Sequence, residues 1–215
     1  MQEYLVDNGS EPISMIDLEQ RPIHPTEPTQ RIESRPMTEM RQEWLQILDR
    51  IPGAGLKGDG FPHNALGVLM HNPDVFGPFL DYWVTCKLKM HISVREQELV
   101  ILRMGCLFRS NYVFKHHVPL AREFGVSEAE LQAVRDGYYD GFPPREAAML
   151  TLTDEFMDTR MLSQATWTKY NTTLSATEVV DLIGLVSQYV LFGLVNNVAQ
   201  VQVEAPIASV AGIVG

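Results

Sequence analysis

Three times in this chain a serine is followed three residues later by a glutamate, at the head of a segment with helical apolar spacing: Ser93/Glu96, Ser127/Glu130 and Ser175/Glu178. In such a capping box the serine oxygen accepts an otherwise unpaired amide of the first turn, while the glutamate reaches back to the serine's own amide. Two orphan donors are satisfied at once, so each box commits the backbone to a helix start. Together with the apolar periodicity, these signals predict helices over about 38–50, 73–90, 93–108, 110–124, 127–136, 143–160, 163–172 and 175–202, and no strand. Gly125 is a good stop for the fourth of these, because glycine enters the left-handed turn without a side-chain clash. The expected fold class is all-α.

Two of the helices stand apart. The 93–108 segment is nearly apolar all round past its first turn (Leu99, Val100, Ile101, Leu102, Met104, Cys106, Leu107, Phe108), which marks a central helix, and the 175–202 segment reads the same way. Both enter with an apolar residue, a capping box and a long apolar run. The separation of 82 residues (175 minus 93) raises an internal two-fold repeat, against the alternative that any two well-capped buried helices look alike. Pro119 cannot donate to the carbonyl of Lys115, so a kink or break is expected there. Residues 1–36 hold five prolines (Pro12, Pro22, Pro25, Pro28, Pro36) and read as an extended arm, either draped over a neighbouring subunit or simply frayed. The helical domain then occupies 37–204, and 205–215 is an apolar tail.

Charge and cysteine content narrow the function. Seventeen Lys+Arg against 27 Asp+Glu leave a formal charge of −10, which disfavours a nucleic-acid partner. Only Cys86 and Cys106 occur, and the opening residues lack a basic, apolar and cleavage-site succession, so a reduced cytoplasm is expected. The most apolar stretch, Val179–Val195, is interrupted by Asp181, Ser187 and Gln188, which reads as a buried helix rather than a membrane span. Gly53-Ala-Gly55-Leu-Lys-Gly58 follows no apolar strand and reads as a loop, not a phosphate cradle.

The polar residues suited to chemistry fall in one window. On a helix Ser110, Val113 and His117 share a face, and Tyr112 and His116 form a second pair at i, i+4. A short connection near Arg109 makes the flanking helices antiparallel neighbours, so Glu98 can face the 110–117 segment. A glutamate beside a histidine either holds the cation or sets the tautomer, and both outcomes give a proton carrier near neutral pH. A purely structural Glu–His pair fits the same spacing. Metal ligation is not expected, since adjacent histidines are poorly spaced and no HxxxH, ExxH or CxxC element occurs. Phe76, Phe79, Trp83, Phe108, Phe114 and Trp167 are candidates to line an apolar pocket, although aromatics at helical spacing are usually core.

The run Arg95-Glu-Gln-Glu-Leu-Val-Ile-Leu-Arg, followed by Tyr112-Val-Phe-Lys-His-His-Val-Pro-Leu-Ala-Arg-Glu-Phe-Gly-Val-Ser, closely resembles the carboxymuconolactone decarboxylase family over about 72–204. That family shares its all-helical fold with alkylhydroperoxidase D, and the resemblance implies this fold here. In the peroxidase branch a CxxC pair is followed four residues later by histidine, with a glutamate about one helix upstream. Carried over, the glutamate falls on Glu98, the histidine on His117 and the two cysteine positions on Ser110 and Val113. The dithiol is gone, and Cys106 is misplaced to replace it. The resemblance therefore implies a cofactor-free acid/base lyase of the decarboxylase type, or a relative using the same proton relay, acting on a small carboxylated or enolisable, lactone-like compound through an enolate. Decarboxylation, isomerisation, dehydration and cyclisation all need the same parts. His117 is then the general acid, Glu98 its orienting partner, Ser110 or Tyr112 a donor to the enolate oxygen, and His116, Phe114 and Trp83 substrate contacts. A thiol peroxidase and a non-catalytic small-ligand-binding oligomer are the alternatives. The family also implies a homo-oligomer, a trimer or hexamer, while the net charge and the interrupted apolar stretch lead to no nucleic-acid or membrane partner being expected.

Overall fold

The structure, a computed structural model, describes residues 30–51 and 63–203. Among them a 3-10 turn at Met37–Glu39 precedes α1 (Gln42–Leu48), α2 (His63–Leu69), α3 (Pro73–Lys89), α4 (Val94–Leu107), α5 (Asn111–Glu123), α6 (Glu128–Asp136), α7 (Pro144–Thr159), α8 (Gln164–Tyr170) and α9 (Ala176–Ala199), with no strand. The fold is all-α, as expected.

All three capping boxes form, at the heads of α4, α6 and α9. Each glutamate spends one oxygen on its serine amide and the other on an arginine. Arg145 donates to Glu96 Oε1 and to Glu178 Oε1, both at 2.5 Å, which ties the heads of α4 and α9 together through α7. Arg95 joins Glu130 of α6 to Glu146 of α7 (2.5 and 2.8 Å). The local start signals thus double as tertiary joints.

α4 is the central helix. Every residue from Glu96 to Cys106 is buried. Val100, Ile101 and Met104 enter the main core with α1–α3, α7 and α9, while Leu99 and Leu102 enter a second cluster with Ala121, Val126, Leu131, Val134, Phe142 and Leu150. Beside that second cluster Arg103 donates to both Asp154 oxygens (2.5 and 3.1 Å) and to the Val134 carbonyl (3.0 Å).

Several expectations from the sequence are corrected by the fold. α2 is an addition to the expected helices, because its apolar run is short and contains Gly67; it is held by packing on α9 and by the segment 30–36. That segment lies on its own chain: Arg31 N–H donates to the Ala199 carbonyl (2.7 Å) and Arg35 N–H to the Gly67 carbonyl (3.1 Å). A Cβ on Gly67 would lie 2.5 Å from the Arg35 oxygen, so glycine permits the crossing. Pro119 does not break α5, since the helix simply forgoes one bond. α9 is not buried all round: Val180, Ile183, Leu194 and Val198 are exposed. It is the one described helix long and apolar enough to cross a membrane, yet its inner face packs on α2, α3, α4, α5 and α7. The arm over residues 1–29, the Gly53–Gly58 stretch and the tail 205–215 lie outside the described residues.

Candidate functional site

α4 ends in a tight reversal. Arg109 takes the left-handed conformation (φ 51°), and its N–H donates to the Cys106 carbonyl at 2.9 Å. Ser110 then caps α5, its Oγ accepting the Val113 N–H at 3.4 Å. This turn lays α5 back along α4 and sets Glu98 opposite His117. Their separation is a hydrogen bond: His117 Nδ1 donates to Glu98 Oε2 at 2.7 Å. The Glu98 side chain is 1% exposed and that of His117 is 15% exposed.

The other ring nitrogen is also engaged. Tyr189 of α9 sits with its hydroxyl 3.1 Å from His117 Nε2, and the two rings meet edge to face at 5.4 Å. A carboxylate only accepts, so the proton on Nδ1 leaves Nε2 as an acceptor for the Tyr189 O–H. Burial, reinforced by the nearby Glu98 charge, pushes the Tyr189 phenol well above its ordinary value, so it stands protonated. Carboxylate, imidazole and phenol form one hydrogen-bonded line through three helices. Behind Tyr189 the aromatic wall continues to Phe192 (5.8 Å), which meets Phe79 (5.4 Å) and Trp83 (6.0 Å).

Of the residues singled out from the sequence, Glu98 and His117 are in contact, and Trp83 joins the wall through Phe192. Ser110, fully buried, serves as a helix cap. Tyr112 Oη accepts the Ala65 N–H at 3.3 Å, so it holds α2 in place. His116 turns away from His117: its Nδ1 lies 2.8 Å from the Tyr112 carbonyl of its own helix, and its ring stacks on Tyr112 at 4.1 Å. Phe114 faces the second core cluster and lies under the Arg135 guanidinium (4.5 Å), so it is not part of the His117 aromatic wall. Trp167 is exposed on α8. The reason is helical geometry: one residue of α5 is about 100° from the next, so Phe114, His116 and His117 look into three different environments.

Sequence reasoning missed Tyr189. The usable signal was a phenol inside an apolar run, since a buried tyrosine hydroxyl needs a partner. Asn196, seven residues on, is 1% exposed with both amide atoms unpaired among the described residues. Such a group costs about 1–3 kcal/mol unless a bound molecule or water meets it. Cys106 is buried, and desolvation pushes its thiol up to about 12; burial likewise raises Cys86. Among the described residues no three His, Cys, Asp or Glu side chains gather as metal ligands.

With this geometry in view, residues 73–155 match the sequence model of the carboxymuconolactone decarboxylase family. No curated protein matches. Among solved structures, the debrominase Bmp8 superposes with a TM-score of 0.66 at 15% identity, over 85% of this chain and 97% of that one. An uncharacterized peroxidase-related protein from Silicibacter sp. TM1040 gives 0.66 at 15% identity, over 84% and 94%. An alkylhydroperoxidase AhpD core, an uncharacterized peroxidase-related protein from Ralstonia eutropha JMP134, gives 0.65 at 17%, over 84% and 94%. The fold is that of alkylhydroperoxidase D. The family segment contains Glu98 and His117 but ends before Tyr189.

Proposed function

We propose, for a chain whose residues 73–155 match the carboxymuconolactone decarboxylase family, a cofactor-free acid/base enzyme that acts on a small carboxylated or enolisable, lactone-like compound by forming and reprotonating an enolate. The observation that carries this reading is the 2.7 Å bond between Glu98 and His117. It fixes the imidazole tautomer and stabilises the cation whenever the ring takes up a proton. The substrate supplies its own electron sink, a conjugated carbonyl, and the protein supplies position and a proton.

The thiol-peroxidase alternative is opposed by the chemistry of the cysteine positions. Ser110 and Val113 stand where the dithiol belongs, and Cys106 with a thiol pushed up to about 12 carries almost no thiolate at neutral pH. A reduced, cytoplasmic setting belongs to the same reading and is supported by two unpaired cysteines. Assembly into a homo-oligomer belongs to it as well, supported by the apolar stripe Val180, Ile183, Leu194 and Val198 along the outer side of α9.

The test is turnover. Carboxymuconolactone and related carboxylated lactones, incubated with the purified protein, are expected to lose conjugated absorbance and release carbon dioxide. Binding of the same compounds without any turnover, seen as a thermal shift alone, would favour the ligand-binding alternative.

A further inference from the structure

Both nitrogens of His117 are occupied, and that bears on which group meets the substrate. Nδ1 is held by Glu98 at 2.7 Å and Nε2 by Tyr189 at 3.1 Å. A hydroxyl hydrogen-bonded to an imidazole that a carboxylate orients is the arrangement by which an enzyme activates an oxygen: the carboxylate fixes the ring, and the ring exchanges a proton with the oxygen. The two hydroxyls singled out from the sequence have structural partners, Ser110 as the α5 cap and Tyr112 against α2. Among the described residues the hydrogen bond of Tyr189 is the one to His117, so its oxygen keeps capacity for a second.

We infer that Tyr189 is the residue that exchanges a proton with the substrate, and that His117 and Glu98 are positioning residues acting through it. This rests on the proton-transfer reading above and names the group that performs it.

The bond to the substrate carboxylate breaks, carbon dioxide leaves, and the electron pair remains as an enolate. Uptake of a solvent proton on His117 Nε2 first turns its hydrogen bond with Tyr189 round, so that Nε2–H donates to Oη and the Oη–H is freed toward the substrate. Tyr189 Oη–H gives its proton to the enolate carbon. Once the carbon is protonated, the Nε2 proton passes to the phenolate. One solvent proton is consumed per carbon dioxide released, and no oxidant or reductant takes part. A phenol held protonated by burial suits a donor to carbon, because it is not lost to ionisation near neutral pH. The titratable groups that face Tyr189 are His117 from α5, at hydrogen-bond distance, and Glu98 from α4, acting through its field.

The experiment compares the intact protein with Tyr189→Phe and with fluorotyrosine, a more acidic phenol, in place of Tyr189, using carboxymuconolactone as probe. Tyr189→Phe is expected to lower kcat about a hundred- to ten-thousand-fold with KM changed little. Fluorotyrosine is expected to restore turnover and to move the alkaline limb of the kcat profile to lower pH, a response that a packing role does not give. Tyr189→Phe retaining kcat within a few-fold, or a fluorotyrosine profile that does not move, overturns the inference and leaves the proton-transfer reading with His117 acting directly. If the intact protein turns over none of the lactones, the reading itself fails, and the 15N signals of His117 decide about Tyr189. A change in the Nε2 signal and in the titration midpoint of His117 on Tyr189→Phe supports the coupled line; an unchanged titration overturns it.

Discussion

Glu98 is fully buried on α4, and its one described side-chain partner is His117, so neither residue keeps its role without the other. Removing the imidazole by His117→Ala is expected to cut the rate about a hundred- to ten-thousand-fold, the usual contribution of a positioned acid or base. Glu98→Gln keeps the shape and removes the charge, and comparable damage is expected. Because the two act as a unit, the double variant should be scarcely slower than either single one. Steady-state rates on a common substrate check this, and additive losses would sink it. The cysteines predict the opposite behaviour. Cys106 packs in the interior with its thiol held protonated, and Cys86 is half-buried. Replacing both by alanine should lower stability by about 0.5–3 kcal/mol through lost packing while leaving turnover nearly intact. Denaturant midpoints and kcat on the same samples separate the two effects, and loss of activity in a folded Cys106→Ala protein would restore the thiol reading.

At the scale of the element, the capping boxes show how a local signal acquires a long-range task. Glu178 accepts its serine amide and an Arg145 hydrogen bond, and these, the arginine foremost, pull its carboxyl down from the ordinary 4.5 to about 2. Glu130 is lowered in the same direction: burial opposes the shift, but the Ser127 amide and Arg95 outweigh it. A carboxylate lowered in the folded state adds stability that is fully present above about pH 4.5 and is lost as pH falls toward 2. Arg145→Gln should therefore cost about 1–2 kcal/mol near neutrality, a value reduced for the partial solvent exposure of the arginine. The gap between the two proteins should close on acidification, because the intact protein loses the contribution that the variant never had. Thermal melts across that pH range measure it, and a gap independent of pH would refute it.

The described residues bury the Glu98–His117–Tyr189 line and leave an apolar stripe of α9 outside. Val180, Ile183, Leu194 and Val198 recur at helical spacing along the outer side of α9, each at least half exposed. Covering such a stripe with a second copy removes apolar surface from water, the main driving force of most protein associations. Sedimentation is expected to show a trimer or hexamer at micromolar concentration, and the pair Ile183→Glu with Leu194→Glu should shift it toward monomer. A well-folded monomer of the unaltered chain would refute the assembly.

The three Ser-x-x-Glu boxes, Gly125 and the apolar periodicity determined seven of the nine described helices to within a few residues and an eighth, α1, over a shorter span, because capping and helical spacing are properties of neighbouring residues. The facing of Glu98 and His117 was legible for a similar reason: a short turn between two helices leaves little choice of partner. α2 was not legible, since a seven-residue helix with a glycine in it owes its existence to what packs on it. Nor were the roles of Ser110, Tyr112 and Phe114, which a spacing argument puts near the histidine and the rotation of α5 assigns to a cap, a brace and a second core. Tyr189 lies 72 residues from His117. Its meeting with that ring follows from α9 packing against α4 and α5, a contact between distant segments that only the assembled tertiary structure decides.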